Sequence, residues 1–558
     1  MALVGCGQGG RECTVLSMIV GGFASVLVDG AERLGELSYV VPEGLAVRVG
    51  DAVEVPFGAN VRRGLVTGPD SGERATREIT LVYGRRSSEV DIAVARDIAV
   101  ANLCEFTSVA KRLAPSTKRG NAGVEAGEVV LREGARFAEF GRGPRLSELP
   151  RRIEMVGPSA DVVRLAALEA AELAQKGQVL ILCPSKEVVR QVQAEFTSGS
   201  ARLDVVPKKD ELSAWNGFVA GTVRIGVATR AGALWAGADL AGIVVVDEDH
   251  PGHREVTTPY TSARDVAAKR TKANGAALVL LSHNPSPSGL GADVKIVVVG
   301  KEWPTTTVVT RKVRQRWTPE MPGGLSAIIA KHEAKESEIL VVAGTSRSSR
   351  RCSVCRLTWR CEVCESGSCE HCEPNCVKCG AEDVLIIGWD AVKSARVTGV
   401  ERVIVPSAMS GADKADLVVL LDVDPWLGMA ELVPGRVASN RILEAARLVR
   451  PGGELVMVTC SPEDELLALL AKGDLIGLAR RTWSQAREEA LPPFGRQVTI
   501  SGEGRAPKGA QWPGRVLGPK PNGTGWEIMI LAKNSEMPAL QSVLARVRRR
   551  AKVRVTVL

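Results

Sequence analysis

Short β-branched runs punctuated by Gly and Pro open the chain. "ASVLVDG", "LSYVVPEGL", "DAVEVPFG" and "RRGLVTG" predict a small β-rich, barrel-like unit over residues 1–85. The apolar spacing then lengthens. In "EVDIAVARDIAVANLCEFTSVAKRLAP" apolar residues recur every three or four positions, which predicts a small helical, winged-helix-like unit over 86–126. Residues 127–152 mix Gly, Arg, Glu and Pro without a period and read as a connector. From 153 the texture is α/β. The strands "QVLILCP", "VRIGVATR", "GIVVVDED" and "AALVLLSHNP" alternate with the helical "SADVVRLAALEAAELAQKG" and "SKEVVRQVQAEF", a parallel sheet covered on both faces over 153–300. A second series, "EILVVAG", "DVLIIGWD", "RVIVPSAM", "ADLVVLLDVDP" and "GELVMVTCSP", predicts another parallel sheet over 301–470, with a cysteine-rich insert (350–381) between its first two strands. Residues 471–558 read as an α+β unit ending in the basic "RVRRRAKVRVTVL".

Composition narrows the class only a little. At 558 residues there is material for roughly four domains of ~150 residues. No apolar run reaches ~18 uncharged residues, so no membrane span is expected and a cytoplasmic, nucleoid-associated protein is. A net charge of +8 permits nucleic-acid binding without requiring it. Aromatic residues make up 4% of the chain, which favours phosphate contacts or junction shape over extensive base stacking.

Cysteine spacing changes the picture more. Eight of the thirteen cysteines form four Cys-x-x-Cys pairs, Cys352/Cys355, Cys361/Cys364, Cys369/Cys372 and Cys376/Cys379. Each pair places two sulfurs on one side of a tight knuckle, and two knuckles close a tetrahedron of bonds about 2.3 Å long around zinc. Four pairs make two such sites, hence two Zn²⁺ per chain. A disulfide framework fits less well, because the other five cysteines are scattered, the total is odd and the first residues lack a signal-peptide pattern. His371 lies between complete pairs and reads as a bystander.

Two consecutive parallel lobes suggest a nucleotide-driven motor, so the phosphate machinery decides the matter. Asp247 and Glu248 close the strand "GIVVVDEDH", where an acidic pair would hold Mg²⁺; a solvated strand end reads equally well there. A phosphate loop needs G-x-x-x-x-G-K-[ST], and no Gly-Lys-Ser or Gly-Lys-Thr occurs in the chain. The corresponding stretch is "EMVGPSADVVRL", in which Gly157, Ser159 and Asp161 remain as a degenerate loop and Ala160 stands where the lysine would be. Asp161 would repel a nucleotide. "LVRPGGELVMVT" has the look of a methyltransferase phrase, but no glycine-rich cofactor loop precedes it.

Taken in order along the chain, these motifs resemble the PriA family of replication-restart primosomal proteins, also termed protein N′. "LSYVVPEGL…RVGDAVEVPFG…RRGLVTG" is similar to that family's 3′-end-binding domain, "VATRAGALWAGADLAGIVVVDEDHPGHREVTTPYTSARDVAAKR" to the stretch around its DEEH motif, and the four cysteine pairs to its two zinc sites. "VVLLDVDPWL" and the "LPPFGRQ" of Leu491 to Gln497 are similar to later motifs. The resemblance implies an α/β fold with two tandem RecA-like parallel-sheet lobes, a zinc-binding insert, a β-rich N-terminal DNA-binding domain and an α+β C-terminal domain. It also implies nested zinc pairing, with Cys352, Cys355, Cys376 and Cys379 on one ion and Cys361, Cys364, Cys369 and Cys372 on the other.

Departures from the family matter as much. Its Gly-Ser-Gly-Lys-Thr loop is here Gly157 to Asp161, its Ser-Ala-Thr coupling motif is Ser282-His283-Asn284, and its Gln-Val-Ala-Gly-Arg-Ala-Gly-Arg motif is "LEAARLVR", which keeps Arg447 and Arg450. Leu37-Ser38-Tyr39 replaces Phe-Asp-Tyr and leaves open the contact that the family's aspartate makes to a 3′-terminal nucleotide. The implied function is recognition of stalled or abandoned forks and scaffolding of replicative-helicase reloading, without helicase activity and with ATP a doubtful ligand. Implied partners are forked or 3′-ended DNA, primosome proteins, helicase-loading factors and single-stranded-DNA-binding protein. The rival readings are an ATP-dependent 3′-to-5′ helicase built on the remnants Asp247, Glu248, Arg447 and Arg450, and a zinc-dependent interaction protein.

Overall fold

A computed structural model of the chain describes residues 18–113, 128–132, 149–158, 160–203, 209–291, 294–299, 303–311, 321–344, 349–352, 354–355, 357–359, 375–387, 390–428, 435–504, 506–507, 510–548 and 552–557. Five antiparallel strands come first: β1 (Met18–Val28), β2 (Leu37–Arg48), β3 (Asp51–Phe57), β4 (Asn60–Pro69) and β5 (Leu81–Arg85), in the order β2-β1-β4-β3-β5. Their two-residue period turns Val26, Val28, Tyr39, Val41, Val53, Val55 and Val66 into one small core. Helix α1 (Glu89–Ala101) starts at Ser88, whose hydroxyl accepts from the Asp91 amide, and the short α2 (Phe106–Ala110) follows. Ile92, Ala95, Ile98 and Ala99 of α1 share a buried cluster with Leu27 and Leu65 of the sheet and with Phe218, Trp235 and Val266 further on. Asp91 is buried there against Arg270 at 2.7 Å, whose other nitrogens donate to the carbonyls of Ala233 (2.5 Å) and Trp235 (3.1 Å).

The first lobe runs β6 (Arg151–Val156), α3 (Val162–Leu173), β7 (Gln178–Cys183), α4 (Lys186–Ala194), β8 (Ser200–Leu203), α5 (Lys209–Ala220), β9 (Ile225–Thr229), β10 (Leu240–Val245), α6 (Ala263–Asn274), β11 (Ala277–Ser282) and β12 (Lys295–Val299). Its strands pair in parallel in the order β8-β9-β7-β10-β11-β6-β12. Alternate residues of β7 enter opposite cores, Leu180 and Leu182 one and Val179 and Ile181 the other, so both faces are covered. The connector region contributes more than a linker: Val130 and Leu131 pair with Ser198 and Phe196. Arg152 in β6 is fully buried, and Glu154 and Glu169 neutralise it.

The second lobe contains β13 (Thr305–Thr310), α7 (Gly323–Glu333), β14 (Ile339–Val342), β15 (Ser349–Cys352), β16 (Thr358–Trp359), β17 (Val384–Ile387), α8 (Ala391–Thr398), β18 (Val403–Ile404), β19 (Ala415–Leu420), α9 (Arg436–Leu448), β20 (Val449–Thr459), α10 (Glu465–Ala471) and α11 (Leu475–Glu488). A parallel sheet forms in the order β13-β20-β19-β14-β18. One expectation is corrected here. "DVLIIGWD" is not a strand of that sheet: β17 pairs antiparallel with β15 in a separate three-stranded sheet, β16-β15-β17, that carries the cysteine insert. The parallel sheet gains the threonine-rich β13 as its edge instead. Helix α11 buries Leu475 and Leu478 in this lobe's core, so the compact C-terminal unit begins after it.

That last unit is an antiparallel sheet of β21 (Gly495–Glu503), β22 (Arg515–Asn522), β23 (Gly525–Lys533) and β24 (Val553–Val557), ordered β22-β23-β21-β24. Helix α12 (Met537–Arg548) supplies Leu540 and Leu544 to a core with Val498, Ile500, Ile528 and Ile530. Leu103, in the turn after α1 and at φ 52°, is buried in the same core. The carbonyls of Leu103 and Cys104 accept from Arg548 (3.5 Å) and Gln541 (3.4 Å), and Tyr260 donates to the Val555 carbonyl at 3.0 Å. No helix among the described residues is long and apolar enough to cross a membrane.

Candidate functional site

Between the lobes lies a cleft of about 390 Å³ lined by Asp247, Asp249, His283, Asn284, Arg436 and Arg447. One lining residue, His283, backs onto the turn from β6 into α3. A phosphate-binding loop offers backbone amides to an anion, and here the amides are already engaged: Gly157 donates to Val299 O at 3.1 Å and Ala160 to Gly157 O at 3.1 Å. Asp161 caps α3, its carboxylate accepting from the amides of Val163 (3.0 Å) and Arg164 (3.1 Å), so the helix N-terminus carries an anion of its own. Ser159 lies outside the described residues. The ring Nδ1 of His283 sits 3.2 and 3.1 Å from the carbonyls of Val156 and Gly157. Burial, reinforced by the nearby Arg447 charge, lowers the His283 pKa to about 4 and keeps the ring neutral.

The acidic remnants divide. Glu248 is buried under the cleft, accepting from the Ser286 amide (2.7 Å) and hydroxyl (2.9 Å) and pairing with Arg264 at 3.1 Å. Asp247 lines the cleft from a left-handed backbone conformation at φ 54°. Arg447 lines the cleft too, but Arg450 does not join it: Arg450 pairs with Glu338 (3.0 Å) and Asp416 (3.2 Å) at the N-terminal ends of β14 and β19. Arg436, a residue that the motif reading passed over, crosses from α9 to the first lobe. Its guanidinium forms an ion pair with Asp249 and donates to the carbonyls of Asn284 (2.8 Å) and Pro285 (3.2 Å). Asn284 answers from the other side, its amide nitrogen reaching Ser439 Oγ at 2.9 Å and Asn440 Oδ1 at 2.6 Å.

In the insert, the first and fourth cysteine pairs converge. The sulfurs of Cys352, Cys355, Cys376 and Cys379 all lie within 4.8 Å of one another, with Cys352 to Cys379 at 3.5 Å and Cys355 to Cys376 at 3.6 Å. Four thiolates on a tetrahedral Zn²⁺ are about 3.8 Å apart, so the donor set fits that ion. The amides of Cys355 (3.4 Å) and Lys378 (3.5 Å) point at the sulfurs of Cys352 and Cys376, as knuckle turns arrange them. Cys361, Cys364, Cys369, Cys372 and His371 lie outside the described residues.

A second pocket, of about 560 Å³, opens on the N-terminal sheet between β2, the end of β3 and the loop after β4. Leu37, Ser38, Tyr39, Phe57, Asp70, Arg74 and Arg77 are among its walls. Tyr39 is nearly buried and donates to Pro56 O at 3.1 Å, which fixes the ring. Residues 25–115 match the family model of the PriA 3′DNA-binding domain (3′BD), the segment that contains this pocket. A PriA-type 3′-DNA-binding domain is present. The search of curated proteins returned no match. Among solved structures, the DUF1998 helicase MrfA bound to DNA aligns at 11% identity and a TM-score of 0.31, over 59% of this chain and 49% of that one. The same helicase described without DNA aligns at 12% identity and a TM-score of 0.28, over 61% of this chain and 50% of that one. The chain thus spans about half the length of these structures, and the likeness is too loose to equate residues.

Proposed function

We propose that this protein is a PriA-like replication-restart factor that binds forked or 3′-ended DNA and scaffolds reloading of the replicative helicase, without unwinding DNA itself. The observation that carries the DNA reading is the N-terminal domain match with its open pocket. The absence of a motor is supported by the first lobe: an anion already caps α3 through Asp161, Gly157 and Ala160 have spent their amides, and a neutral His283 fills the place of the coupling motif. A nucleotide phosphate would meet the Asp161 carboxylate and find no lysine. Two zinc ions shape the insert, one on the described four-thiolate cluster and the second on Cys361, Cys364, Cys369 and Cys372. With four thiolates each ion has no open position, so the module is a surface for DNA and protein partners and not a catalytic centre. The partners follow the same reading: primosome proteins, helicase-loading factors and single-stranded-DNA-binding protein. The domain division proposed from the sequence places the DNA-end unit in 1–85.

Two measurements on zinc-replete protein test this. Affinity for a fork with a 3′ end should exceed that for blunt duplex at physiological salt and fall steeply with added salt, and deletion of residues 1–85 should remove the preference. DNA-stimulated ATP hydrolysis should be undetectable or very slow, and combining Ser159→Gly, Ala160→Lys and Asp161→Thr should not rescue it fully, because His283, Asn284 and the "LEAARLVR" segment stay altered. The rival helicase reading draws on Asp247 and Arg447 facing one cleft. Robust turnover by the unmodified chain, abolished by Glu248→Gln, would establish that rival and sink ours.

A further inference from the structure

Arg496 lies near the start of β21, and the two-residue period of the strand sets its side chain on the face that Val498 and Ile500 bury in the C-terminal core. The guanidinium is accordingly drawn in: 15% of the side chain is exposed, and its Nε is buried without a hydrogen-bond partner. Its ion pair with Asp265 is loose. Nη2 stands 3.7 Å from Asp265 Oδ2, beyond hydrogen-bond reach, while Arg264 holds that carboxylate through Nε and Nη2, each 3.0 Å from Oδ1.

The narrow pocket that Arg496 lines sits where three units meet. Asn102 closes it from the end of α1, Asp265 and Lys269 from α6, and Val557 from β24. Arg254 enters from the loop before α6, which is fixed by an antiparallel bridge between Arg254 and Ser262 and by the bond from Tyr260 to the Val555 carbonyl. Three cations therefore face one carboxylate, and among the described residues the side chains of Arg254, Lys269 and Arg496 donate no hydrogen bond. A guanidinium carries five donors, and withdrawing a charge from water without acceptors is costly, so the pocket is built for an acceptor. At about 20 Å³, against about 390 Å³ for the cleft between the lobes, the space exceeds the ~10–15 Å³ that one water needs but admits no base or sugar.

We propose that Arg254, Lys269 and Arg496 form a phosphate site, and that a backbone phosphate of the bound DNA occupies it through its non-bridging oxygens. An arginine fork matches two such oxygens, and a lysine adds a point charge. The ester arms, with their sugars and bases, stay outside, so the contact positions the DNA and reads no sequence. This rests on the reading of the chain as a DNA-binding protein. It also gives the "LPPFGRQ" segment a role, since the arginine of that segment carries the contact into the seam between the C-terminal sheet and the first lobe. One anion shared by these units draws them together when DNA binds.

The test uses the full chain with zinc bound, the variant Arg496→Gln and, should that buried change disturb the fold, the more exposed pair Arg254→Gln with Lys269→Gln. Fork affinity, read by fluorescence anisotropy across a potassium chloride series, should fall about tenfold in each variant. The slope of log Kd against log salt should drop by about one, the mark of one lost phosphate contact, and alike on forks of different sequence. Inorganic phosphate at fixed ionic strength should raise the unfolding midpoint of the unmodified chain more than that of either variant. Affinity and slope unchanged in both variants overturn the assignment to DNA, even where the phosphate shifts differ, because the site would then serve the free ion. Unchanged slopes together with equal phosphate shifts overturn the site itself. Equal binding of fork and duplex by the unmodified chain overturns the parent reading, and the salt slope, which duplex reports as well, still decides this site.

Discussion

Replacing Arg436 with methionine should part the two lobes without unfolding either. The side chain joins α9 to the first lobe through an ion pair with Asp249 and two charge-assisted bonds to the carbonyls of Asn284 (2.8 Å) and Pro285 (3.2 Å). Both partners of the pair are largely withdrawn from water, with side-chain exposures of 17% and 28%, so screening is modest. Breaking a buried pair by removing one partner costs about 3–5 kcal/mol. Asp249 keeps Arg264 at 3.8 Å and is not stranded, which favours the lower end, about 3 kcal/mol or roughly 150-fold in the closed-to-open ratio. Native-state hydrogen exchange reports this opening directly: amides in 284–291 and 436–441 should exchange up to about 150-fold faster, while the core strands β7 and β19 keep their protection. A double-mutant cycle with Asp249→Asn should show coupling of about 1 kcal/mol or more. Unchanged exchange at both segments, or additive effects within about 0.5 kcal/mol, would refute the claim that this arginine ties the lobes.

Other outcomes can be checked independently. Metal analysis of protein purified without chelators should give two zinc ions per chain; Cys376→Ser should lose the ion of the described cluster and open the insert while both lobes stay folded, and one ion or none in the unmodified chain contradicts the assignment. His253 and His283 are both held neutral, with pKa lowered by burial to about 4 from 6.5. The unfolded chain therefore binds protons that the native state refuses, and stability should fall as pH drops from 6.5 towards 4, by about 3 kcal/mol per ring at the limit. His253→Gln should flatten that slope in denaturant titrations at pH 5 and 7, and an identical slope rejects the account. Arg270→Met leaves Asp91 buried and unpaired between α1 and the first lobe, so an unfolding loss of about 3–5 kcal/mol is expected, whereas under 1 kcal/mol would mean the pair is structurally idle.

Much of the architecture was legible because long apolar runs leave little choice. Strands such as β7 and β19 are buried on both faces, and only a parallel sheet between helices provides that. A four-residue run is ambiguous, however, and Val384–Ile387 has the same texture in a small antiparallel sheet as in a parallel core. Thr305–Thr310 escaped notice because threonine is a poor hydrophobic signal though a good strand former. Charge hid other features. Arg152 closed the aperiodic stretch that reads as a connector, yet it lies in a buried strand where Glu154 and Glu169 neutralise it. At the sites, local motifs were readable and long-range partners were not: the cysteine pairs and the damaged phosphate loop stand in the sequence, whereas Arg436 reaches Asn284 across 152 positions and Asp70 reaches Ser25 across 45.

The docking of Leu103 into the C-terminal core has a consequence for how the protein is made. Its carbonyl meets Arg548, 445 residues further along, so the turn after α1 leaves the ribosome long before the sheet that will cover it exists. At about 5–20 residues per second, the interval is roughly 20 to 90 seconds. Throughout it Leu103 lacks the apolar neighbours that the last sheet and helix α12 supply in the complete fold, so its burial is among the latest contacts to form.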